Sequence, residues 1–134
     1  MKYRVDHDAQ AGKFLLPELD AEVEVVDANG ADIDAQAFAA LCGAFNGYRR
    51  NKMPIPMPSM GGNVSVPVVI QLKIHLWNWM LANRYRATDL AERLNLHRQQ
   101  AYRIMDFGYS SDLAMMEKAY AAFGLEINMT ATGK

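Results

Sequence analysis

The sequence predicts an α+β chain: a small N-terminal βββα module, a Pro/Gly linker, and an all-helical second half closed by a short strand. Three observations predict it. Short runs before residue 28 alternate apolar and polar residues, and from residue 35 apolar residues recur at helical spacing. Between the halves, Met53-Pro54-Ile55-Pro56-Met57-Pro58-Ser59-Met60-Gly61-Gly62 sets prolines at alternate positions ahead of a glycine pair. Such prolines favour extended backbone and the glycines end it flexibly, so 53–63 is read as a linker between 1–52 and 64–134.

In the first half, Tyr3-Arg4-Val5 and Lys13-Phe14-Leu15-Leu16 are β-prone runs around a Gly-containing turn. Glu22-Val23-Glu24-Val25-Val26-Asp27 alternates acid and valine, as a strand with one wet face does, and Asn29-Gly30 supplies a turn. Asp34 is the expected N-cap of a helix over 35–50, whose Phe38, Leu41, Cys42 and Phe45 share a face. Fifty-odd residues are close to the lower limit for an independent core, so this module should lean on its second half, a twin subunit or a partner.

In the second half, Pro67 precedes a long apolar helix over 68–81. Short amphipathic helices follow over Ala87–Leu94 and Arg98–Met105. Ser110 or Ser111 should cap a fourth over 112–123, which Gly124 ends. Leu125-Glu126-Ile127-Asn128-Met129 alternates like a strand.

Composition excludes several classes. With 134 residues, 51% apolar and 22% charged, the chain can bury a core as one domain or two small ones. No apolar run approaches the ~20 residues of a membrane span, and the start MKYRVDHDAQ lacks the apolar stretch of a secretory signal. A single cysteine, Cys42, allows no internal disulfide, which places the chain by default in a reducing cytoplasm. The net charge of −1 conceals a division. Residues 1–52 hold six basic residues against nine acidic, −3, while 64–134 hold eight against six, +2. Five arginines against Asp89 and Glu92 concentrate +3 between Arg84 and Arg103.

The stretch 86–105 carries the strongest functional signal. Two short helices meet across Asn95-Leu96-His97. Ala91 is small where they must approach, and Asn95 tolerates the left-handed backbone of a tight helix exit. Leu90, Leu94, Leu96, Ala101 and Ile104 would line the inner faces. This is the helix-turn-helix pattern, whose second helix enters the DNA major groove. On that helix Arg98, Gln99, Tyr102 and Arg103 point outward, with Gln100 at the edge of the face. Arginine grips guanine and glutamine grips adenine, and Tyr102 could reach a phosphate or a thymine methyl. Thr88, Tyr109 and Ser110 are candidate backbone contacts. Against this reading, Arg86 and His97 occupy cap positions that Ser, Thr, Asn or Asp fill better.

Other signals are bland. His7, His75 and His97 have no metal-ligand spacing, and Cys42 reads as a small core residue. The run 27–32 resembles a calcium loop, but Phe38 stands where a bidentate Glu is required. Trp77 and Trp79 cannot face the same way; one packs inside and the other is available to a dimer contact. No nucleophile elbow, phosphate loop or paired catalytic residues stand out, so no catalytic residue, metal site or cofactor is expected.

The whole chain resembles a HicB-type antitoxin with a helix-turn-helix tail. The resemblance is strongest in Asn51-Lys52-Met53-Pro54-Ile55-Pro56-Met57-Pro58-Ser59, in Val64-Ser65-Val66-Pro67, and in the order of four helices closed by a short strand. In the N-terminal half, Gly12-Lys13-Phe14, Pro17-Glu18-Leu19 and Asn29-Gly30 keep only part of the family's pattern. The resemblance implies a partial ribonuclease-H-like N-terminal module without catalytic residues. It implies that this module binds a small, basic, mRNA-cleaving HicA-like toxin, and that the C-terminal domain dimerises and represses the toxin–antitoxin operon. An acidic module suits a basic toxin, which singles out Glu18, Asp20, Glu22, Glu24 and Asp27, beside the 35–50 helix, as toxin-binding residues. The alternative reading is a stand-alone helix-turn-helix repressor whose N-terminal module dimerises or senses a ligand. An enzyme is disfavoured: Asp6, Asp8, Asp32 and Asp34 supply acids, but no spacing fixes a metal.

Overall fold

The computed structural model describes residues 1–26 and 32–133; Asp27 and the Asn29-Gly30 turn lie outside them. In chain order the elements are β1 (Lys2–Tyr3), β2 (Asp6–Asp8), β3 (Lys13–Leu16), a 3-10 turn (Pro17–Leu19), β4 (Ala21–Glu24), α1 (Ile33–Arg50), β5 (Val64–Ser65), α2 (Val68–Ala82), α3 (Ala87–Leu94), α4 (Arg98–Met105) and α5 (Leu113–Ala122). None of these helices is long and apolar enough to cross a membrane.

The alternation in β3 and β4 becomes two faces of an antiparallel sheet ordered β2-β3-β4. Phe14 and Leu16 are buried, opposite Val23 and Ala21, while Lys13 and Leu15 stand opposite Glu24 and Glu22 on the outer face. The strand expected at Tyr3-Arg4-Val5 is divided. Tyr3 pairs with Val64 in a separate two-stranded ladder, and the hairpin partner of β3 is Asp6–Asp8. The division falls where Asn63 takes both backbone groups of Val5: its Oδ1 accepts from Val5 N and its Nδ2 donates to Val5 O, each at 2.9 Å. A side-chain amide thus replaces a neighbouring strand. The helix over 35–50 begins earlier than expected, at Ile33, because Asp32 and not Asp34 is the cap: its Oδ1 accepts from Ala35 N at 2.9 Å. Likewise Asp112, not Ser110 or Ser111, caps α5 through Met115 N at 2.8 Å. Leu125–Met129, expected as a strand, forms none; a short alternating run needs a ladder partner, and it has none among the described residues.

The segment 53–63 is strapped to both halves. Asn78 of α2 pairs with the backbone of Ile55 through Oδ1 at 2.8 Å and Nδ2 at 2.9 Å, and the Ile55 side chain is buried. The Trp77 indole donates to Met53 O at 2.9 Å, and the Tyr3 hydroxyl donates to Pro56 O at 2.7 Å. Burial and the nearby Glu18 carboxylate push that phenol above its ordinary range. Gly62 completes the strap by lying against the backbone of Lys2: a Cβ there would sit 2.1 Å from Lys2 O. One core runs through both halves, from Tyr3, Phe14 and Phe45 to Ile74, Leu76, Leu90 and Met116.

Gly62→Ala therefore cannot be accommodated without separating β1 from β5. It should cost about 1–3 kcal/mol in urea unfolding, the scale of an overpacked site; an unchanged midpoint would show that the strap contributes nothing.

Candidate functional site

The helix pair forms as expected. Asn95 adopts the left-handed conformation (φ 55°, ψ 47°), and Leu96 N donates back to Ala91 O at 2.9 Å, closing α3 as a Schellman motif does. Leu90, Ala91, Ala101 and Ile104 are buried between the helices, with Leu94 and Leu96 packed at their margin. The poor cap residues are compensated from within each helix. Asp89 Oδ2 accepts from Arg86 N at 2.6 Å, and Gln100 Oε1 accepts from His97 N at 3.0 Å. Gln100, expected beside the reading face, therefore also fixes the start of α4. Trp77 is the tryptophan that packs inside; Trp79 is half-buried, stacks on Tyr85, centroids 5.6 Å apart, and packs on Phe123. Arg93 lies over the Tyr85 and Phe123 rings, which commits that cation to the fold.

The C-terminal end of α4 rests on a buried cation. Lys73 of α2 is fully buried, and its ammonium donates to Tyr109 O at 2.6 Å, to Asp106 O at 2.7 Å and, more distantly, to Arg103 O at 3.5 Å. A positive charge at a helix C-terminus offsets the orphan carbonyls there. Burial draws this amine down to about 8, against the pull of Asp106. Asp106 turns its carboxylate to a second set of partners: Oδ1 accepts from Gly108 N and from Asn46 Nδ2, each at 2.8 Å. Burial opposes its ionisation, yet those bonds, with Arg49 and Lys73 nearby, hold the carboxyl below its ordinary range. Asn46 Oδ1 accepts in turn from Phe107 N at 3.0 Å. The exit of α4 is thus anchored to α2 by Lys73 and to α1 by Asn46. Cys42, in the adjoining core, is pushed up to about 11 by burial, as an inert structural thiol should be.

Of the residues expected on DNA, Arg98, Gln99, Gln100, Tyr102, Arg103, Tyr109 and Ser110 are exposed and Thr88 is half-buried. The Arg103 guanidinium sits 5.3 Å over the Tyr109 ring, so those two act together. The acidic residues divide more sharply. Glu22 and Glu24 occupy the outer sheet face and Asp20 is exposed beside it; Asp27 lies outside the described residues. Glu18 is committed internally: Oε1 accepts from Arg4 N at 2.5 Å and Oε2 from the Ser59 hydroxyl at 3.1 Å and the Ser59 amide. Asp6 and Asp8, weighed in the sequence only as metal ligands, share the outer face through their register with Leu15 and Lys13. The Asp-His-Asp alternation was the available signal. Ion pairs on this face are exposed, Arg4–Asp6 and Lys13–Glu22, both at 3.2 Å. The 27–32 run reaches the described residues only at Asp32, which caps α1. Among the described residues no group of three or more His, Cys, Asp or Glu side chains could hold a metal ion.

These two surfaces meet a consistent pattern of similarity. The chain is 30% identical over 139 aligned positions to antitoxin HicB 2 of Photorhabdus laumondii, covering 98% of this chain and 96% of that relative. The chain belongs to the HicB antitoxin family. It is also 28% identical to antitoxin HicB of Pseudomonas fluorescens, over 80% of this chain and 79% of the relative. Antitoxin HicB 1 of P. laumondii is 28% identical over 70% of this chain and 62% of its own length. No family model matches the chain. As the first alignment covers nearly all of both chains, this HicB chain shares both halves with its relative.

Lys73→Met keeps the bulk of the side chain but orphans buried carbonyls, which should cost about 2–4 kcal/mol of stability. The sign of its pH dependence follows from the lowered amine. Between about pH 8 and the ordinary lysine range, the unfolded state holds a proton that the folded state has released, so stability from Lys73 rises with pH. The gap between parent and Lys73→Met in urea unfolding should widen from pH 7 to pH 9; a gap that narrows would show that the carbonyls outweigh burial and would contradict the lowered amine.

Proposed function

We propose that this protein is a two-part antitoxin and autorepressor, with 1–52 as the toxin-binding unit and 64–134 as the DNA-binding and dimerising unit. Its partners are a small, basic, mRNA-cleaving HicA-like toxin, the operator of its own operon, and a second copy of itself; it works without cofactor or catalysis in the cytoplasm. The observation that carries this reading is the segregation of charge on one folded chain: an acidic sheet face bearing Asp6, Asp8, Glu22 and Glu24, and an exposed recognition face bearing Arg98, Gln99, Tyr102 and Arg103. Membership of the HicB family supports the antitoxin role.

The toxin site extends to a groove of about 570 Å³ between β4 and α1. Asp20 and Glu22 stand on one wall and the small residues Ala40, Gly43 and Gly47 on the other, so a partner's backbone can come close. β4 is an edge strand, which offers a ladder to an incoming segment. Complementary charge then steers a basic partner into place. On the other side, paired recognition helices read half-sites about one DNA turn apart, ~34–36 Å or a multiple of it.

The reading is tested by co-expression with the neighbouring short, basic gene product, followed by co-purification and binding to the DNA upstream of the operon. Arg98→Ala with Arg103→Ala should weaken binding to that DNA by about 2–4 kcal/mol while leaving co-elution intact. Glu22→Lys with Glu24→Lys should do the reverse, since the exposed Lys13–Glu22 pair adds little to folding. Failure of the parent to co-elute would remove the toxin half of the proposal, and parent-like DNA affinity in the arginine variant would remove the other.

A further inference from the structure

The charge division drawn at the linker does not match the division in space. Arg49, Arg50 and Lys52, counted with the acidic half, stand at the C-terminal end of α1 on the wall of a cleft of about 540 Å³. Arg86, at the entry to α3, and Arg98, the first residue of α4, line the same cleft. Trp77, Met80 and Met105 line it as well and are themselves buried. No carboxylate lines it, and neither ion pair of the described residues involves these cations. Five like charges around one concavity repel each other and focus a positive potential that an anion would relieve.

Lys52 is carried to that wall by the helix exit. α1 ends in a Schellman motif: Met53 N donates to Tyr48 O at 2.9 Å, and Lys52 is the left-handed residue, φ 54°. Gly124 after α5, Asn95 after α3 and Arg84 after α2 hold the same kind of position. Glycine serves it best, so a lysine there is strained.

We infer that this cleft grips the phosphate backbone of the duplex that α4 reads, so that the end of α1 is part of the DNA interface. The inference rests on the DNA reading proposed above. DNA is favoured over other anions because the cleft is continuous with the recognition face: Arg98 and Tyr102 belong to both, and Thr88, a candidate phosphate contact, lies within it. Phosphate contacts from Arg50 and Lys52 would fix register and add affinity without reading sequence. With the division moved to Arg49, the sequence holds three basic residues against nine acidic before it, −6, and eleven against six from it on, +5.

The test compares the full-length parent with Lys52→Gly and with Arg50→Gln plus Lys52→Gly. Binding is measured to two duplexes of equal length, one from upstream of the chain's own gene and one of random sequence, across a salt series. Glycine relieves the left-handed strain, so thermal stability should hold or rise. Affinity of the double variant should fall about tenfold or more at 0.1 M salt, by a similar factor on both duplexes, and the slope of log K against log salt should drop by about 2. Parent-like affinity and slope in the double variant, with sequence-selective binding intact in the parent, would overturn the cleft assignment alone. A parent that binds neither duplex would overturn the DNA reading and this inference with it. Loss of self-association with an unchanged salt slope would overturn it too, and would give the cleft to the acidic face of a second copy.

Discussion

A single buried ammonium organises the functional end of this molecule. Lys73 lies in α2, in the middle of the helical core, and donates to carbonyls at the exit of α4 and in the loop beyond. A lysine taken fully out of water is costly unless its donors are satisfied, and here backbone oxygens satisfy them. The Asp106 and Tyr109 oxygens lie just past α4, so the group that satisfies its own donors there also holds that exit. The consequence is positional. α4 spans only eight residues, too few to be stable alone, and Lys73 ties its exit to the core.

Through Asp106 and Asn46 the same cluster reaches α1, which makes that helix common to every surface with a functional reading. Along α1, Ala40, Gly43 and Gly47 wall the groove beside β4, Asn46 holds the turn after α4, and Arg49 and Arg50 close on the basic cleft. The segment 53–63 reinforces the junction, with Asn63 and Asn78 each using a side-chain amide where a strand would otherwise pair. The chain thus joins its halves by backbone-directed hydrogen bonds as much as by apolar contact. Such bonds fix direction, which hydrophobic burial alone does not.

What was legible in the sequence was local. α3 and α4 form over the expected residues because their apolar spacing, the turn at Asn95 and the small Ala91 are all encoded within one short stretch. The HicB resemblance, carried by the linker and helix order, agrees with the relatives that share both halves. Less legible was anything settled by distant partners. The caps at Asp32 and Asp112 were each displaced by one or two residues because several oxygen-bearing side chains compete at a helix start. β1 left the N-terminal sheet because Val64 and Asn63, some sixty residues on, claim its neighbourhood. Lys73 gave no signal in the sequence, since its partners are carbonyls, which no side-chain pattern announces. Likewise, Glu18 looked like one acid among several, although its carboxylate is spent on Arg4 and Ser59.

The central claim, that α1 and α2 together hold α4 in place, is tested most directly by hydrogen exchange. Asn46→Ala removes the contact from α1 to the 106–107 turn, and with it the 3.4 Å bond from Arg49 Nε, without touching α4 or α2. Amides of the 98–109 stretch in that variant should exchange severalfold faster than in the parent, with the protection of α2 and β3 unchanged. Identical exchange across 98–109 in parent and variant would show that α1 takes no part in holding α4, and would contradict the claim.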